Sequence, residues 1–175
     1  MESIKITSGK FRGRSIKSPN SKLTHPMGSR EKLALFNMIS DFLTGARVLD
    51  VFAGSGALGI EAISRGAESA TFVEKAGSVA RIIKENISSL GLDDFAKVII
   101  GDVSNLELDE KFDIILADPP YDDFKISSLD KLAGFLKNGG VLVLSHPSEA
   151  PELNGLELKK THKYAAARIS VYSLA

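Results

Sequence analysis

The sequence predicts an α/β fold: a mostly parallel, seven-stranded sheet with helices on both faces, plus an N-terminal β-hairpin extension. Three observations predict it. Short apolar strand-like runs alternate with helix-like segments from Arg47 onward. A glycine-rich segment, Gly54-Ser55-Gly56-Ala57-Leu58-Gly59, joins the first run to the first helix after it. Asp118-Pro119-Pro120-Tyr121 closes the fourth run, at the strand end where open α/β sheets bind ligands.

The elements follow in order. Ile4, Ile6, Phe11 and Ile16 alternate loosely with polar residues around Ser8-Gly9 and Arg12-Gly13, as a β-hairpin requires. A turn-rich linker follows, Ser18-Pro19-Asn20-Ser21 and then Thr24-His25-Pro26-Met27-Gly28. Ser29 is the expected N-cap of a helix in which Leu35, Phe36, Ile39, Phe42 and Leu43 form a core-facing stripe, and Gly45 ends it. Strands are expected at Arg47–Phe52, Ser69–Glu74, Lys97–Ile100, Phe112–Ala117 and Val141–Leu144, with helices at Ala57–Arg65, Gly77–Leu90 and Ile126–Leu136. Leu156–Lys160 and Arg168–Ser173 read as two closing antiparallel strands. This divides the chain into a basic arm and linker, residues 1–28, and a body, residues 29–175.

At 175 residues the chain can bury one core of its own, and its 43% apolar and 25% charged content is ordinary for a globular protein. It has no cysteine, which excludes disulfides and thiolate metal sites, and His25, His146 and His162 lack ligand spacing. No run of about 18 apolar residues is present, and Met-Glu-Ser-Ile-Lys does not read as a signal peptide, so the expectation is a cytoplasmic monomer with no membrane partner. Net charge is zero but uneven: residues 1–32 hold eight basic side chains against two acidic ones. A basic arm on an acidic body suggests a polyanionic partner, with a solvated charged terminus as the alternative. A folded hairpin favours a shaped contact with phosphates; Lys10, Arg12 and Arg14 are expected to make it, as are Arg30 and Lys32 in the helix that follows the linker.

The chemistry sits on two turns. Two prolines after Asp118 stiffen the chain and remove two N–H donors, leaving carbonyls, a carboxylate and the Tyr121 ring together. That set suits a planar group carrying an exocyclic NH2, which acceptors hold and a ring stacks upon. In the glycine turn the backbone can approach a ligand closely, and a helix N-terminus follows. Glu74 ends the next strand, where a carboxylate can hold ribose hydroxyls. Gly54-x-Gly56-x-x-Gly59 also matches the dinucleotide fingerprint, so an NAD enzyme is a rival. Asp50 weighs against it, because a carboxylate there is awkward beside a pyrophosphate and suits an ammonium and a sulfonium. Asp102, after the third strand, offers an acceptor for an adenine amine and Val103 a backbone N–H; a surface turn explains Asp102 as well.

The run Leu49–Ala67, with Phe11-Arg12-Gly13-Arg14, Leu35-Phe36-Asn37 and Asp118-Pro119-Pro120-Tyr121, resembles the RsmD family of 16S ribosomal RNA guanine-N2 methyltransferases over nearly the whole chain. The resemblance implies a Rossmann-like class I methyltransferase using S-adenosyl-L-methionine. It places the cofactor on Asp50, Phe52, Gly54, Ser55, Gly56, Glu74, Lys75, Asp102, Val103 and Asp118. It also implies methyl transfer to N2 of a guanine in 16S rRNA or an assembling small subunit. Asp118 and the Pro119 carbonyl would accept the amine's N–H bonds, with Pro120 stiffening the turn and Tyr121 stacking on the base; Phe124 would extend the platform or join the core. Departures lie at His25-Pro26-Met27-Gly28-Ser29-Arg30-Glu31-Lys32-Leu33, where the family shows Arg-Pro-Thr, an Asp and Arg-x-Arg-Glu, and at Tyr164-Ala165, where it tends to have Tyr-Gly. Alternatives are a DNA adenine-N6 or cytosine-N4 methyltransferase, for which the chain lacks room for target recognition, and a catalytically silent rRNA-binding assembly factor.

Overall fold

The computed structural model describes residues 3–19, 27–123, 125–164 and 167–175; the sequence readings at His25, Pro26, Phe124 and Ala165 lie outside them. A two-stranded antiparallel hairpin, β1 (Ser3–Lys5) and β2 (Ser15–Lys17), precedes the body. The body runs α1 (Ser29–Met38), α2 (Ser40–Leu43), β3 (Arg47–Val51), α3 (Ala57–Ser64), β4 (Ser69–Glu74), α4 (Gly77–Leu90), β5 (Ala96–Ile100), β6 (Phe112–Ala117), α5 (Leu132–Phe135), β7 (Leu136–His146), β8 (Leu156–Tyr164) and β9 (Ala167–Leu174). The seven-stranded sheet has the order β5-β4-β3-β6-β7-β9-β8. From β5 to β7 neighbours are parallel, and β9 is antiparallel to both β7 and β8.

Strand alternation explains the layers. Val48, Ile114 and Leu116 enter a front core with α1, α3 and α4, whereas Leu49, Val51 and Ile115 enter a back core. These central strands are buried on both sides, so they read as continuous apolar runs. The hairpin is part of the front layer: Ile6, Phe11 and Ile16 are buried in the same core as Phe36 and Ile60. It docks on the end of α3, where Ser64 O accepts the Lys10 N–H at 2.7 Å, Ser64 Oγ accepts the Phe11 N–H at 3.0 Å, and the Ser64 hydroxyl donates to Ser8 O at 2.6 Å. A side chain at Gly9 would put its Cβ 1.8 Å from Ser64 O. Only glycine permits that approach, and its φ of +79° adds to the requirement.

Several expectations are corrected. The N-cap of α1 is Gly28, with Ser29 the first helical residue and no side-chain cap bond. The helix breaks at Ile39, whose φ of −121° is not helical, and the break turns Phe42 out to solvent while Leu43 stays buried. Strand β3 ends at Val51, before Phe52. The helix expected at Ile126–Leu136 is instead a 3₁₀ turn, Ile126–Leu129, followed by the single turn of α5. Ser127, Ser128 and Gly134 are weak helix formers, and the Ser128 hydroxyl bonds the Lys125 carbonyl at 2.6 Å. Strand β7 starts five residues earlier than expected, because it runs through Gly139-Gly140 with an irregular register against Phe112 and Ile114. A Cβ on Gly140 would lie 2.7 Å from Asp113 O, so the apparent breaker is a close-approach residue inside a bulge. Strand β8 continues to Tyr164.

Candidate active site

Strand order reverses between β4 and β6 on either side of β3, which makes the β3–β6 seam the switch point of the sheet. Val51 pairs with Ala117, so the chain leaves both strands side by side, one into the glycine turn and the other into Asp118-Pro119-Pro120-Tyr121. An open cleft of about 1140 Å³ lies over this seam. It is lined by Asp50, Phe52, Gly54, Ser55, Glu74, Lys75, Asp102, Val103 and all four residues of the Asp-Pro-Pro-Tyr turn. Gly56 is not on the wall. It shapes the turn, with φ +79°, and its N–H donates to Ala53 O at 2.7 Å.

The turn is held by carboxylates from two strands. Phe52 has φ +61°, the sole non-glycine residue in the left-handed region among the described residues. Strain of that kind persists only where neighbours enforce it. Here Ala53 N–H donates to Val73 O at 3.0 Å, and Gly54 N–H donates to Glu74 Oε2 at 2.9 Å. The other Glu74 oxygen accepts the Ala76 N–H at 2.9 Å. Asp50 reaches under the turn to accept the Gly59 N–H at 2.9 Å, capping α3 from the preceding strand. Gly59 leaves room for this: a Cβ there would fall 2.3 Å from the Phe72 ring and 3.1 Å from Asp50 Oδ2.

Carboxylates crowd this floor. Burial pushes the Asp50 carboxyl well above its ordinary value; the Gly59 N–H opposes this, and the charges of Asp118 and Glu74 add to it. Burial likewise pushes Asp118 up to about 6, against the Ser145 hydroxyl, which bonds its charged form. Tyr121 OH lies 2.6 Å from Ser145 Oγ. The chain Tyr121–Ser145–Asp118 fixes the ring by its edge and leaves the ring half-exposed. Asp102 is the opposite case: the Ser104 N–H and hydroxyl, and then Lys75 at 3.0 Å, lower it to about 2. The site therefore favours a ligand with positive charge over its seam and disfavours a diphosphate beside Asp50 and Glu74.

Lys32 is corrected. It is buried, its ammonium 3.2 Å from Glu61 and donating to Lys5 O at 2.9 Å, so it ties α1 to the hairpin and α3 and is withheld from phosphates. Arg12 and Arg30 are exposed. Lys10 and Arg14 stand over the Phe11 ring at 5.5 and 5.9 Å, and Arg14 also donates to Ser89 O at 2.9 Å.

Glu31, Lys125, Ser127 and Tyr164 also line the cleft, and buried Ser145 stands behind it against the Tyr121 hydroxyl; sequence reasoning missed them. Ser145 had one available signal, a hydroxyl at the end of the strand beside β6. Buried Asn86 on α4 was missed as well; its amide accepts the Lys17 N–H at 2.8 Å and donates to Lys17 O and Ser55 O, both at 2.9 Å. One side chain thus joins the hairpin to the glycine turn. Its orientation is unambiguous, since two partners are carbonyls and the third is an N–H.

The family described as "Conserved hypothetical protein 95" matches residues 4–173. A Bacillus subtilis (strain 168) protein named "Putative rRNA methyltransferase YlbH" is 33% identical over 180 residues, covering 97% of this chain and 98% of that protein. Ribosomal RNA small subunit methyltransferase D of Escherichia coli (strain K12) is 34% identical over 141 residues, covering 79% of this chain and 69% of its own. Among solved structures, the Escherichia coli protein described as "Putative methyltransferase yhhF" superposes with a TM-score of 0.86 at 27% identity, covering 99% of this chain and 98% of that one.

Proposed function

The chain belongs to the Conserved hypothetical protein 95 family, the RsmD methyltransferases, and from that premise we propose that it transfers a methyl group from S-adenosyl-L-methionine to the exocyclic N2 of a guanine in 16S rRNA. The observation that carries the proposal is the placement of Asp118-Pro119-Pro120-Tyr121 beside the carboxylate-held glycine turn, in one cleft at the switch point. The relatives named as rRNA methyltransferases support the RNA substrate.

The residues fit the cofactor by charge. Its ammonium suits Asp50, its ribose hydroxyls suit the lone pairs of Glu74 that the backbone leaves unused, and its carboxylate suits the start of α3. Asp102 and Val103 frame the adenine end, with both Asp102 oxygens already engaged by Ser104 and Lys75. When bound, S-adenosylmethionine supplies a methyl group activated by its sulfonium. The protein's task is the nucleophile, an amine whose lone pair is delocalised into the base. Asp118 and the Pro119 carbonyl accept its N–H bonds and favour a more tetrahedral nitrogen, and the same acceptors stabilise positive charge developing there. Ser145 holds the Asp118 carboxylate in place, and Tyr121, pinned at its hydroxyl, offers a ring face to a base drawn out of its helix. Asp118 then takes the departing proton.

Residues 1–28 serve as the RNA-contacting arm on a methyltransferase body of residues 29–175, with Lys10, Arg12, Arg14 and Arg30 facing phosphates. Charge reversal at Arg12 and Arg14 is expected to weaken RNA binding and to reduce its salt slope by about 0.7–0.9 for each phosphate that is no longer neutralised. Titrations at several salt concentrations read this directly, and an unchanged slope removes the arm from the interface. No helix among the described residues is long and apolar enough to cross a membrane. Mass spectrometry of 16S rRNA from cells with and without the gene tests the whole reading. A guanine that loses one N2-methyl group in the deletion strain is expected, and identical modification in both strains refutes it.

A further inference from the structure

We propose that the exposed face of β8 is a second RNA-binding surface, which carries the single-stranded nucleotides next to the base held by Tyr121. This rests on RNA being the substrate. Strand β8 is the edge of the sheet, pairing only with β9 among the described residues, and every residue from Glu157 to Lys163 is exposed. Between Lys159 and Lys163 the strand holds three lysines and a histidine and no acid. The nearby carboxylates are Glu157, which pairs with Lys159 at 2.5 Å, and Glu149, which pairs with Arg168 on β9.

Lysines alone would be accounted for as protection of a sheet edge. The aromatic side chains are not. An irregularity between Leu158 and Lys160 sets a register in which Lys160, His162 and Tyr164 lie opposite Val171, Ile169 and Ala167. Val171 and Ile169 belong to the front core, so Lys160, His162 and Tyr164 share the face that carries α1 and the basic hairpin. Lys160 confirms the side by donating to Met38 O, at the end of α1, at 2.8 Å. The His162 and Tyr164 rings stack, with centroids 6.2 Å apart and planes 18° from parallel. Tyr164 and Ala167 also line the cleft that contains Asp118 and Tyr121. A track of two aromatic rings, ending on Lys160, therefore runs from the cleft mouth along this face of the sheet edge. The hairpin lies over α3 and α4 on the other side of the β3–β6 seam, so two basic surfaces flank the cleft on one face. A base drawn out of a helix leaves neighbours that lose stacking partners; aromatic faces restore that stacking, and a lysine beside them, Lys160, holds the backbone.

The test is fluorescence-anisotropy titration of labelled 16S rRNA onto the full chain, for the wild type, Lys160→Ala, His162→Ala and the Arg12/Arg14 charge reversal. The strand variants are expected to bind RNA about ten-fold more weakly, with a salt slope about 0.7 shallower per lysine removed, while S-adenosylmethionine affinity stays unchanged. Ultraviolet crosslinks from the RNA to His162 or Tyr164 are expected in the wild type. Wild-type RNA affinity in both strand variants, alongside a weakened hairpin variant, overturns the assignment of β8. Failure of the wild-type protein to bind RNA at any salt overturns the substrate reading itself, and β8 with it.

Discussion

Asp118→Ala is expected to lower turnover on rRNA by about two to three orders of magnitude, the cost typical of removing one group that stabilises charge in the transition state. Cofactor binding is expected to survive, because Asp50, Glu74 and the glycine turn keep their own hydrogen bonds. Calorimetry with S-adenosylmethionine and single-turnover kinetics separate the two effects; near-normal turnover would sink the assigned role. The pH profile gives an independent reading. Burial holds Asp118 at about 6, so kcat/KM for the free enzyme should fall as pH drops below about 6, and Asp118→Asn should remove that limb. The sign for stability is opposite. A carboxyl raised in the folded state keeps a proton there that the unfolded chain has released, so its stabilising contribution is present below the unfolded value near 4 and lost as pH rises through about 6. At neutral pH the ionised Asp118 is thus a cost to the fold, and Asp118→Asn should raise stability by on the order of 1–2 kcal/mol in urea unfolding. A protein more stable and less active after one isosteric change is the signature of a site carboxylate kept for chemistry.

Glu61→Ala is expected to destabilise the fold by about 3–5 kcal/mol, because it leaves a buried lysine without its counter-charge. Glu61 is fully buried on α3 and accepts from Thr7 N–H at 2.9 Å, Thr7 hydroxyl at 2.7 Å, Ser8 N–H at 2.9 Å and Arg65 at 3.0 Å, with the Lys32 ammonium at 3.2 Å. It joins the hairpin, α1 and the helix that starts at the glycine turn. Burial alone would raise its pKa; the Thr7 donors, Lys32 and Arg65 outweigh that and lower it. Its contribution is therefore present above the unfolded value near 4.5 and lost as pH falls through the lowered folded value. Urea titrations should show the loss, and limited proteolysis should cut first within the hairpin. Replacing the buried pair together, Glu61→Leu with Lys32→Met, should recover part of the stability, since the uncompensated charge is then gone. Equal destabilisation by the single and double variants would show that packing, and not charge, governs this junction.

Much of this was legible in the chain. Strands β4 and β6 and helix α4 fall on the residues their patterns indicated, because a strand buried on both faces and an amphipathic helix each impose a local period. The misplacements share a cause. Ile126–Leu136 carries enough apolar residues for a helix, but Ser128 satisfies a carbonyl of its own turn and the chain coils into 3₁₀ geometry. Gly139-Gly140 reads as a strand break, yet Gly140 is what lets β7 pass the Asp113 carbonyl. In both places a contact with a distant or local partner overrides propensity.

Residue order along the chain was enough to set the succession of strands and helices, the glycine turn and the Asp-Pro-Pro-Tyr turn at two strand ends, since each follows from residue types within a few positions of one another. What those residues are joined to was settled by packing in three dimensions. Ser145 became part of the site because β7 lies beside β6, Lys32 was withdrawn from solvent because α1 packs against Glu61, and Asn86 tied the hairpin to the glycine turn across 69 and 31 positions of chain. Buried polar groups must find partners wherever the fold brings them, and that pairing is a property of topology that no local pattern records.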